Sequence, residues 1–185
     1  MEGNPDKEGW VFVGRKRERR PLADLYREAV YVIPRHHSVK TDTYCFGAEA
    51  FRAWARDIER GKFDGMTVDE FDTWAHYTNY VCVLATNGSC CYTFLDRAEE
   101  LNPDLAWLDE VKALYRRTGQ MWNNDGGKDL EALGGGFNVT LDVLQDKERR
   151  AKIAEVIRKC GDCMDEVVRI IERNAESNTG VPRDR

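Results

Sequence analysis

Between Pro21 and Asn174 the apolar positions recur every three or four residues, the period of helices seated on a common core. The first such run, Pro21 to Ile33, sets Leu22, Leu25, Tyr26, Ala29, Val32 and Ile33 on one face. Proline is favoured in a first turn and disfavoured further in, so Pro21 marks the start and Pro34 the stop, leaving His36 and His37 in a loop. A second helix, about Phe46 to Glu59, aligns Ala50, Phe51, Trp54 and Ile58 and ends at Gly61.

Thr67-Val68-Asp69-Glu70 is a capping box, in which a hydroxyl and a carboxylate satisfy the orphan N–H groups at a helix start. From there Phe71, Trp74, Ala75, Thr78, Val81, Cys82, Ala85, Ser89 and Tyr92 follow at helical steps, predicting one long helix from Thr67 to about Glu100, with a break at Asn87-Gly88 as the second reading. That period runs through Asn87-Gly88-Ser89-Cys90-Cys91, so these adjacent thiols read as small residues at a tight helix crossing. Asn102-Pro103-Asp104 is a turn before a helix carrying Leu105, Leu108, Val111, Leu114 and Tyr115 and ending near Trp122. Residues 123–127 form a loop, Lys128 to Leu133 a short helix, and Lys147 to Asn174 a last long helix burying Ile153, Val156, Ile157, Cys160, Met164, Val167, Val168 and Ile171.

One segment breaks the helical pattern. Gly9-Trp10-Val11-Phe12-Val13-Gly14 is an aromatic and β-branched run between glycines, which is a strand signal, and no second strand follows to pair with it. The expected fold is therefore all-α, an up-and-down multi-helix array with one N-terminal strand that lacks an in-chain partner. Residues 1–20 serve as polar lead-in, strand and basic linker, 21–174 as the helical domain, and 175–185 as a frayed polar tail. Trp10 and Phe12 become candidate interface residues, since an unpaired strand needs another chain or domain to satisfy its backbone.

Composition narrows the function classes. Of the 185 residues 42% are hydrophobic and 33% charged, as in ordinary globular chains, and the net charge of -5 argues against a nucleic-acid partner. The basic run Arg15 to Arg20 is short and reads as a solvated linker. No apolar stretch approaches the roughly 20 residues of a membrane span, and the start of the chain lacks a signal-peptide core, so a cytoplasmic protein without a membrane partner is expected. Six cysteines in helical positions then read as reduced thiols.

Chemistry is sparse. Cys160-Gly161-Asp162-Cys163 has the C-x-x-C spacing of metal and redox sites, yet it has no second ligand pair and no βαβ context, so core packing is favoured. Cys90 and Cys91 have no neighbouring imidazole in sequence, with His76 several turns away, and a thiol enzyme built on them ranks low. Adjacent histidines point in different directions, so His36-His37 reads as solvated. Gly134-Gly135-Gly136 lacks the G-K-[ST] ending of a phosphate loop and reads as backbone passing close to a neighbour. No catalytic residue, cofactor or metal site is assigned.

Several strings together carry a resemblance. Tyr44-Cys45-Phe46-Gly47 with Ala50-Phe51 and Trp54, then Asn79-Tyr80-Val81-Cys82 with Leu84-Ala85-Thr86-Asn87, then Leu130 to Val139, resemble the C-terminal helical region of bacterial proteins similar to butirosin biosynthesis protein H. In that architecture a papain-like domain related to double-glycine leader peptidases precedes the helices. The resemblance implies that Trp10 to Val13 is the last strand of such a domain, and that the catalytic cysteine and histidine lie there.

Two functions follow as expectations. The first is an accessory domain of a papain-like cysteine peptidase or acyltransferase-like protein, shaping a substrate cleft or mediating assembly, with a papain-like domain or a second copy of the chain as partner. The alternative is a stand-alone protein that binds a small molecule or peptide in a pocket lined by Cys45, Trp54, Trp74, Asn79, Cys82 and Asn87. An exposed apolar face near Trp10 and Pro21 favours the first, and a closed cavity where those six side chains converge favours the second.

Overall fold

The structure, a computed structural model, describes residues 19–74, 88–122, 128–136 and 139–177. It is all-α. In chain order the helices are α1 (Leu22–His37), α2 (Gly47–Glu59), α3 (residues 68–74), α4 (Gly88–Leu101), a 3-10 turn (Pro103–Leu105), α5 (Leu108–Trp122), α6 (Leu130–Leu133), α7 (Leu141–Gln145) and α8 (Lys147–Ser177). Trp10, Phe12 and the expected strand lie outside the described residues, as does the middle of the expected helix from Thr67 to Glu100.

Helix α8 is the spine, because α1, α2, α5, α6 and α7 all pack on it. Its apolar stripe repeats at helical spacing for most of its length, so successive turns serve different neighbours. The first half, with Ile153, Ala154 and Ile157, meets Ala55, Ile58, Phe63, Phe71, Trp122 and Leu130. The second half, with Cys160, Met164, Val167 and Ile171, meets Val30, Ala48, Leu95, Leu105, Leu108 and Val111. Phe51 of α2 and Val156 of α8 touch both groups and make the core continuous.

Local chemistry sets the element boundaries. Thr67 N–H donates to Glu70 Oε2 at 2.8 Å and Glu70 N–H to Thr67 Oγ1 at 3.4 Å, the reciprocal capping box expected at the start of α3. Asp129 caps α6 by accepting from Ala132 N–H at 2.9 Å. Gly134 ends that helix with φ 80°, and Gly135 backs onto Ile153, where a Cβ would stand 2.8 Å from Cγ1. The triglycine thus serves packing.

Two expectations at α1 are corrected. The helix runs through Pro34 to His37, so the two histidines are helical and not in a loop. Pro34 sits in the last turn, and its own carbonyl accepts the capping N–H of Ser38 at 3.0 Å. The buried face also differs: Tyr26, Val30 and Ile33 turn inward, whereas Leu22, Leu25 and Val32 face out. Helix α1 carries two apolar stripes at helical spacing, and the inward one has the aromatic anchors. Tyr26 stacks on Phe94 of α4 at 5.5 Å, and Tyr31 lies 6.3 Å from Trp107. Aromatic rings bury the larger area, so their stripe wins the core.

A buried charge ties α4 to α5. Lys112, 5% exposed, donates to Asp96 at 3.0 Å and Glu99 at 2.6 Å and lies 2.8 Å from Asp109. Three carboxylates hold its ammonium charged against the cost of burial.

Candidate functional site

An open cleft of about 590 Å³ lies where the end of α1, the first two turns of α2 and the last third of α8 meet. Its position follows from a tight reversal between α1 and α2. Phe46 N–H donates to Val39 O at 3.0 Å and Thr41 N–H to Tyr44 O at 2.8 Å, while Thr41 Oγ1 accepts from Tyr44 N–H at 3.1 Å. Lys40 and Cys45 pair across this reversal as an isolated antiparallel bridge. The chain therefore returns so that Gly47, with φ 59°, passes against His37; a Cβ there would stand 2.6 Å from His37 O.

The α1 side of the cleft offers Tyr31, Pro34, Arg35, His37 and Ser38. Across from it stand Ala48, Glu49 and Arg52 of α2, and Asp165, Val168, Ile171 and Glu172 of α8. Arg52 bridges the two helices by pairing with Asp165 and reaching Asp162 at 3.4 Å. Hydrogen bonding to Asp165 is the main reason its guanidinium holds its proton still more firmly than usual. Glu49 is occupied by Arg56 at 2.8 Å, which lowers its pKa.

His37 is the unusual group. Its Nδ1 is buried and has no hydrogen-bond partner among the described residues. Burial lowers its pKa, the neighbouring His36 lowers it further, and Asp165 opposes both. A depressed imidazole pKa means the unfolded chain binds a proton that the folded chain refuses. Stability should therefore fall as pH drops below the usual imidazole value of about 6.5. Urea unfolding of the wild type and His37→Phe between about pH 5 and 7 checks this: the variant should show the shallower slope, and equal slopes would exonerate His37.

The six residues expected to line a pocket are placed differently. Asn79, Cys82 and Asn87 lie outside the described residues. Trp54 and Trp74 share one core region, Trp54 5.7 Å from the ring of Trp122 and Trp74 4.5 Å from that of Phe63. Cys45 is half-buried in the reversal before α2. None of these three lines the cleft. Sequence reasoning missed the cleft because its residues come from three helices distant in the chain, and because His37 read as solvated.

The thiols offer little chemistry. Cys160 and Cys163 are both buried on α8, and burial, with Cys163 beside it, pushes the Cys160 thiol up to about 12. Such a thiol stays protonated and inert at neutral pH. Cys91 is exposed, so at this position the expected crossing is absent; Phe94, Leu95 and Ala98 carry the packing of α4 instead. No group of three metal-ligating side chains gathers among the described residues.

No protein family, curated protein or solved structure matches the chain.

Apolar side chains also stand exposed at the surface. On the outer face of α1, Leu22 is 56%, Leu25 41% and Val32 38% exposed. Spaced three and seven apart, they form one stripe along the helix. In the reversal Tyr44 and Phe46 are also exposed, with rings 5.7 Å apart edge to face. No described helix is long and apolar enough to cross a membrane.

Proposed function

We propose that this chain is a non-catalytic helical accessory domain that docks on a papain-like cysteine peptidase or acyltransferase-like domain in the cytoplasm, shaping its substrate cleft or mediating assembly. The observation that carries this reading is the stripe of Leu22, Leu25 and Val32. It begins directly after the basic linker that follows Trp10 to Val13, the segment that the resemblance to the butirosin biosynthesis protein H group assigns to the last strand of a papain-like domain. A domain reached through that strand would come down beside the N-terminal end of α1. Isolated exposed leucines need no explanation, whereas three aligned on one face suit an interface.

The test is association with a papain-like domain of the resembled group, read as sedimentation mass. Leu25→Asp should leave helix content unchanged, because the side chain already faces water, and weaken association roughly tenfold to hundredfold, the equivalent of losing one buried leucine. Unaltered association would sink the reading. A wild-type chain that dimerises and ignores the papain-like domain would replace that partner with a second copy.

A further inference from the structure

The cleft has a charge pattern of its own, independent of the outer face of α1. Of its five charged side chains, Arg52 is neutralised by Asp165 and Asp162, and Glu49 by Arg56. That leaves Arg35 of α1 and Glu172 of α8, which line the cleft and make no ion pair among the described residues. Tyr31, Pro34, Val168 and Ile171 line the same cleft and give it apolar surface.

We infer that the cleft binds a small zwitterion with an apolar body, of the class of a free α-amino acid or a short peptide. Its carboxylate meets Arg35, its ammonium meets Glu172, and its side chain lies on Pro34, Val168 and Ile171. A simple anion would leave Glu172 unanswered, and a simple cation would leave Arg35 unanswered. Only a ligand with both charges answers the two unpaired groups together. The volume of about 590 Å³ lies within the range of small-molecule sites and accommodates an amino acid or a dipeptide. Arg52, paired with Asp165, ties α2 to α8 on the side of the cleft that faces α1.

The experiment uses the lone full-length chain, so its outcome is separate from that of papain-domain docking. Amide spectra are titrated with L-leucine, leucyl-leucine, L-leucinamide and N-acetyl-L-leucine. Leucine or the dipeptide should shift the amides of Arg35, His37, Ala48 and Val168 saturably at millimolar concentration, and whichever binds more tightly identifies free amino acid or peptide as the source. Leucinamide and N-acetyl-leucine, each lacking one charge, should bind about tenfold more weakly, as expected for one partly solvated charge-assisted contact. Arg35→Gln should erase the preference for leucine over leucinamide alone, and Glu172→Gln the preference over N-acetyl-leucine alone. Both side chains are exposed and make no ion pair among the described residues, so both variants should fold. Absence of saturable shifts with leucine and with leucyl-leucine would overturn the inference, and so would equal binding of all four compounds.

Discussion

Trp122→Ala should destabilise the protein by about 3–5 kcal/mol, the range for truncating a buried tryptophan. The residue ends α5, is 1% exposed, and stacks at a tilt on Trp54 of α2 with ring centroids 5.7 Å apart. Its cluster includes Ile153 and Ile157 of α8 and Leu130 of α6, so it belongs to a core region shared by four helices. These neighbours belong to separate helices, and collapse around the void would require several elements to move together. A loss of that size is a large share of the roughly 5–15 kcal/mol that holds a domain folded. Urea denaturation should show a fall in midpoint with little change in slope, and Trp122→Phe should recover more than half of the loss. A Trp122→Ala midpoint within about 1 kcal/mol of wild type would mean that the cluster repacks freely.

Much of the architecture is legible in the sequence because it rests on local chemistry. The capping box at Thr67 and Glu70, the stop after Glu59, the turn at Asn102-Pro103 and the buried face of α8 all depend on residues within a few positions of one another. What failed depends on partners elsewhere. Periodicity could not choose between the stripes of α1, since both have helical spacing, and only Phe94 and Trp107 decide that Tyr26 and Tyr31 face in. Pro34 misled for a related reason: a proline in the last turn removes one internal hydrogen bond, and packing of Val30 and Ile33 outweighs that loss. The short α7, residues Leu141–Gln145, escaped notice because five residues hold too little period to read. The cleft was invisible for the deepest reason. Arg35, Arg52 and Glu172 are single polar residues on three helices, and nothing local marks them as neighbours.

Gly161→Leu should be the second severe substitution, and it probes what holds the cleft open. Helix α2 crosses α8 at this glycine, where a Cβ would lie 3.2 Å from both Ala48 O and Phe51 Cβ. A small residue at a tight crossing is therefore found at Gly161, inside Cys160-Gly161-Asp162-Cys163. Alanine tests the contact gently. Its methyl is tight against Ala48, but alanine is favoured over glycine in a helix by about 1 kcal/mol, so Gly161→Ala should be close to neutral. Leucine has no such offset. Its branched side chain must push α2 away, an overpacking that costs typically about 1–3 kcal/mol, or roughly 2–12 °C in melting temperature for a chain of this size. The same displacement draws Arg52 from Asp165 and moves Ala48 and Glu49, which form one wall of the cleft. Thermal melts and the leucine titration should therefore fail together in Gly161→Leu and survive together in Gly161→Ala. If leucine at this position lowers stability yet leaves the titration untouched, the cleft is not framed by the α2–α8 crossing. If it changes neither, the two helices are not in close contact at Gly161.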